Sequence, residues 1–158
     1  MNTPQILELA IRATLAQFAA NAVPVSWLHC AFTPTDATNE SGAVAFPQMV
    51  IQVGGKAQAS EGTTWDSAVT IICASLSEDD PRGDQRAAMY EAAEDIFEHL
   101  IPRDEQDFDE VVQYFAAQVR QSIPTFCLGG FSPDASDGAT VTDGLYLATF
   151  SGVLHYEY

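Results

Sequence analysis

The chain has 158 residues, 47% of them hydrophobic and 18% charged, a balance that supports a buried core and excludes a disordered acidic tail. Six Lys and Arg stand against 22 Asp and Glu, a formal net charge of -16. That excess disfavours a grip on nucleic acid, which needs clustered cations, and disfavours adhesion to an anionic membrane surface.

The length is that of a single domain spanning residues 1–158. Cys30, Cys73 and Cys127 form no CxxC pair, and they read as buried, reduced thiols. The opening residues MNTPQILELA lack a basic n-region, and no apolar run approaches the ~20 residues of a membrane-spanning helix. The expectation is a soluble protein of a reducing compartment, with no membrane partner.

In chain order, Thr3 and Pro4 read as the N-cap and first position of an amphipathic helix ending near Asn21, with Leu7, Ile11, Leu15, Phe18 and Ala22 on one face. Glu8 sits near its start, where negative charge is favoured. Val25 to Phe32 is an apolar strand carrying His29; Cys30 beside it would point to the opposite face, so the pair does not read as a metal site. Thr33 to Ala43 reads as a polar loop, and Phe46 to Val53 alternates as a strand. Gly54-Gly55-Lys56 lacks the spacing of a phosphate loop and reads as a hairpin turn. Ala57 to Asp66 follows as a polar link carrying Trp65.

The clearest unit runs from Ala68 to Ile101. A β-branched strand, AVTIICASL, leads through an acidic elbow into a helix whose stripe is Met89, Ala93, Ile96, Phe97, Leu100 and Ile101. The elbow places Glu78, Asp79, Asp80 and Asp84 close together, a set of hard oxygen ligands that could take Mg²⁺ or Ca²⁺. It lacks the ligand spacing of a calcium loop, and the favoured reading is a helix start capped by Asp84. His99, four residues after Asp95, reads as a stabilising group at the helix C-terminus. A second helix is expected with Asp104 as N-cap and Asp107, Asp109 and Glu110 in its early turns. Its stripe is Phe108, Val111, Val112, Phe115, Ala116 and Val119, and Arg120 stands at its end.

Phe126 to Phe131 reads as a strand with a bulge or turn at its glycines. Ser132 to Gly144 reads as a second long loop, with Asp134, Asp137 and Asp143. Leu145 to Tyr158 closes the chain as a strand with Tyr146, Ala148, Phe150, Leu154 and Tyr156 on one face and Leu145, Leu147, Val153 and His155 on the other. Gly152 is a place to bend. Apolar residues on both faces point to a central strand or one covered by a neighbouring copy. The order of helix, strands, two helices and strands predicts an α+β fold, a mostly antiparallel sheet with helices on one face.

No nucleophile motif, dinucleotide fingerprint or HExxH occurs, and His29, His99 and His155 stand in unrelated segments. The expectation is no catalytic residue, no bound metal and no cofactor. Three stretches, PQILELAIRATLAQF, SLSEDDPRGDQRAAMYEAAEDIFEHL and LYLATFSGVLHYEY, in this order resemble the tail terminator and tail-completion proteins of tailed bacteriophages, the family of minor tail protein U. The resemblance implies a non-enzymatic virion protein, in the host cytoplasm during assembly. It would form a homo-oligomeric ring, a hexamer, at the head-proximal end of the tail, touching the tail tube and neck proteins, with DNA passing through the lumen unbound. A head–tail connector of similar fold, a metal-dependent enzyme using the elbow carboxylates, and an acidic adaptor that mimics nucleic-acid charge are the alternatives.

Overall fold

The computed structural model describes residues 1–33, 45–59, 62–134 and 139–158; most of the expected Thr33–Ala43 loop, and Asp137, lie outside them. The fold is α+β. Helix α1 (Thr3–Phe18) precedes β1 (Leu28–Cys30), β2 (Gln48–Val53), β3 (Ala57–Gln58) and β4 (Trp65–Leu76). Helices α2 (Asp84–Leu100) and α3 (Glu110–Arg120) follow, then β5 (Cys127–Pro133), β6 (Ala139–Thr142) and β7 (Leu145–Glu157). The strands form one seven-stranded sheet in the order β1-β2-β4-β7-β5, with β3 added to β4 and β6 to β7. Every pairing is antiparallel except β1 with β2.

The sheet is built on the pairing of β4 with β7, in register from Trp65 opposite Tyr156 to Leu76 opposite Leu145. Val69, Ile71 and Cys73 alternate onto one face with Ala148, Phe150, Leu154 and Tyr156, and Met49, Ile51 and Val53 of β2 join them. All of them belong to one hydrophobic cluster with the inner faces of α1, α2 and α3, so the helices cover this face. The other face carries Val50, Thr70, Ile72, Leu147, Thr149, Ser151 and Val153, all half-buried, with no helix of the described residues upon it.

The expected stripes on α2 and β7 match the buried faces, and departures cluster at element ends. Asn2, not Thr3, caps α1, in a reciprocal box in which its side chain accepts from the Gln5 N–H and the Gln5 side chain accepts from the Asn2 N–H. That helix stops at Phe18, which is partly exposed against Tyr114, and Ala22 is exposed beyond it. Asp104 caps nothing. Asp109 caps α3 by accepting from the Val111 N–H at 2.8 Å, and Phe108, placed before the cap, is 81% exposed. Gly54-Gly55-Lys56 is a break within one arm of a long hairpin rather than its turn, since β2 and β3 both pair with β4. Part of the expected second loop is strand. β6 and β7 are joined by Asp143 and Gly144, both at positive φ, as a two-residue hairpin turn requires.

Gly152 makes room, and the pairing of β7 with β4 runs through it without a break in register. A Cβ there would lie 2.2 Å from Cζ of Phe131 and 2.6 Å from the Ser132 carbonyl oxygen. We expect Gly152→Ala to cost about 1–3 kcal/mol in urea unfolding, with Phe131→Leu recovering part of the loss in the double variant. The thiols also divide. Cys30 and Cys73 are buried, and burial pushes them up to about 11 and about 12, whereas Cys127, expected inside, is exposed at the start of edge strand β5. A colorimetric disulfide reagent at pH 8 should therefore titrate one thiol in the native protein and all three after unfolding.

Candidate functional site

The acidic elbow is a joint. Asp80 is buried at the end of β4 and accepts from Ser75 Oγ at 2.8 Å and from the N–H groups of Gln85 and Arg86 at 3.1 and 3.3 Å. It therefore caps α2 from four residues before the helix, the role expected of Asp84, while Gly83 supplies the left-handed turn between them. Burial alone would raise the Asp80 carboxyl; the bonds from Ser75 and from the backbone of Gln85, Arg86 and Asp84 outweigh it and hold it below its ordinary value. Glu78, Asp79 and Asp84 are exposed. Among the described residues no group of three or more His, Cys, Asp or Glu could hold a metal ion.

Two other acids act as joints. His99 Nδ1 lies 2.7 Å from Asp109 Oδ2, which ties the end of α2 to the cap of α3. Burial alone would raise Asp109; the His99 bond and the α3 amides prevail and lower it. Glu8, buried on α1, receives the Phe32 N–H at 3.0 and 3.2 Å where the parallel β1–β2 ladder ends. Its carboxyl is raised by burial, offset in part by the amides of Phe32, Val53 and Ala31. His29 is buried in β1, and burial, followed by the charge of Arg12, pushes it down.

Among the described residues no Lys or Arg forms an ion pair with a carboxylate. Arg12, Arg103 and Arg120 donate to the carbonyls of Leu28, Glu98 and Phe126. Arg86 lies over the Tyr146 ring, and Lys56 lies over Trp65 and Tyr158 and bonds the Tyr158 hydroxyl. Among the described residues the two side-chain ion pairs are both histidine–aspartate pairs. Glu91, Glu94, Asp95 and Glu98 thus stand exposed along the outside of α2, and Asp107 and Glu110 around the start of α3. A groove of about 270 Å³ lies between the end of α1 and α2, with Phe18 and Ile96 in its wall and Glu91 and Asp95 on its rim.

The helix-free face of the sheet carries the most organised polar group. Asp66 of β4 stands directly opposite His155 of β7. Ser132 of β5 pairs with Val153, two positions along the same face. The His155 ring bridges them, with Nδ1 2.7 Å from Asp66 Oδ1 and Nε2 2.8 Å from Ser132 Oγ. Sequence reading missed this set because its members are 89 and 23 residues apart in the chain. The available signal was the period of two, which places His155 and Val153 on the face opposite Phe150.

No protein-family model matches the chain, and comparison with curated proteins returns no match.

The cap at Asp80 makes stability acid-sensitive in a defined direction. A carboxyl held low in the folded state stabilises the fold above its unfolded value of 3.8, and that contribution is lost as pH falls through the lower folded value. Asp80→Ala should cost about 1–2 kcal/mol by denaturant unfolding at pH 7. The gap between wild type and variant should close as the pH drops below 3.8.

Proposed function

We propose that this chain is an architectural subunit of a phage virion, a tail terminator or completion protein that closes into a ring at the head-proximal end of the tail. The ring, a hexamer on the family resemblance, meets tail-tube and neck proteins, and DNA passes its lumen without being gripped. Assembly takes place in the host cytoplasm, and the role requires no chemistry from the elbow.

The observation that supports this reading most is the uncompensated acid of the helix layer. Five of the six Arg and Lys side chains are spent on main-chain carbonyls and aromatic rings, and among the described residues the exposed carboxylates of α2 and α3 have no Lys or Arg ion-pair partner. A surface of that kind repels a polyanion at every point and offers it no binding well, which suits a wall past which DNA must slide. The opposite side of the domain is suited to contacts between copies. Val50, Ile72 and Leu147 lie half-buried on a sheet face that no helix of the described residues covers, at the opposite end of the β4–β7 pair from Asp66 and His155. Ring closure joins one patch to a different patch on the next copy, so a bare sheet face and a charged helix layer on one subunit are compatible with it.

In light scattering after size exclusion, the purified protein should run as a multiple of its 17.0 kDa chain mass. Raising NaCl from about 0.02 to 0.3 M should favour the larger species by screening like charge. Electron microscopy of tails should place it at the head-proximal end. A monomer at all ionic strengths that is absent from particles would overturn the reading, and so would tight retention of duplex DNA at about 0.15 M salt.

A further inference from the structure

We propose that Ser132 is a nucleophile toward carboxylic esters, with His155 as its general base and Asp66 as the residue that positions the base. This property is separate from the ring and does not depend on it.

The polarity of the hydrogen bonds follows from their ends. An ionised carboxylate only accepts, so the bond between Asp66 and His155 places the imidazole proton on Nδ1. In the neutral ring Nε2 is then the acceptor, and the Ser132 hydroxyl donates to it at 2.8 Å. A hydroxyl aimed at the unprotonated nitrogen of an imidazole, itself held by a carboxylate, is the arrangement that activates serine in acyl transfer. Three adjacent strands hold it, and the β4–β7 register fixes Asp66 against His155. The group is reachable by a small molecule, since the His155 and Asp66 side chains are 37% and 35% exposed and Ser132 is exposed. Val153 and Ala68, directly opposite each other on this same face, offer an apolar rest for an acyl or aryl group.

The steps balance without a cofactor. Ser132 Oγ adds to the ester carbonyl as its proton passes to His155 Nε2. The tetrahedral intermediate expels the alkoxide, which takes that proton and departs as the alcohol. Water then attacks the acyl group on Ser132, giving a proton to Nε2. Ser132 Oγ leaves and recovers that proton, and the carboxylic acid is released. The sum is ester plus water to acid plus alcohol.

The full-length protein would be incubated with a fluorophosphonate probe and, separately, with p-nitrophenyl acetate. A single adduct mapped by peptide mass spectrometry to Ser132 is expected, together with p-nitrophenol release above buffer. Ser132→Ala should abolish both. His155→Asn and Asp66→Asn should each slow labelling by at least ~10-fold with an unchanged circular dichroism spectrum. Labelling of wild type should fall as the solution is acidified, because a protonated imidazole cannot take the serine proton, and the dependence should vanish in His155→Asn. The absence of an adduct, or an adduct on another residue, overturns the proposal in the wild-type protein alone. Undiminished ester hydrolysis by Ser132→Ala overturns it too, since His155 would then be acting as a simple imidazole. Ring formation is read by light scattering and stands or falls apart from these outcomes.

Discussion

The pairing of β4 with β7 is the constraint on which the rest depends. It holds two strands in register over twelve positions. Each strand alternates, so a slip of one residue would carry Val69, Ile71 and Cys73 to the bare face while Phe150 and Leu154 stayed beneath the helices. The alternation therefore specifies the register as well as stabilising it. Phe97 of α2 then packs on Phe131 and Phe150, with ring centroids 4.6 and 5.3 Å apart, so that β5, β7 and α2 meet at one aromatic contact. Gly152 lies beneath Phe131 because nothing larger fits there.

Buried polar groups fasten the layers together. Asp80 couples the end of β4 to the first turn of α2. Glu8 couples α1 to the end of the parallel pair. Ser67 and Tyr156 share a buried hydrogen bond 2.7 Å long between the two long strands. Each group lies where a helix or strand would otherwise bury unpaired backbone or hydroxyl groups, and leaving these unmade is the larger cost. Asp80 and Glu8 respond to acid in opposite senses. The lowered carboxyl of Asp80 stabilises the fold when ionised, whereas the raised carboxyl of Glu8 favours the fold when protonated.

The periodic parts of the fold were legible in the sequence. The stripes of α2 and the two faces of β7 follow from spacing alone, and so does the α+β layering. The ends were less so. Asp104 and Asp109 are equally good caps by type, and only tertiary packing settles which of them starts α3, which leaves Phe108 in solvent. The Asp143-Gly144 hairpin carried a local signal, the dipeptide that tolerates two positive φ angles, but it was submerged in a polar stretch. Asp66, Ser132 and His155 carried almost no local signal. Their association is a property of strand order, which no short window contains.

The division of charge has a mechanical consequence. Among the described residues the helix layer bears rows of carboxylates, while the bare face holds mostly Val, Ile, Leu, Thr and Ser. Among the described residues the acid rows of α2 and α3 push back any negatively charged body that approaches from the helix side, so such a body meets less resistance from the side of the sheet.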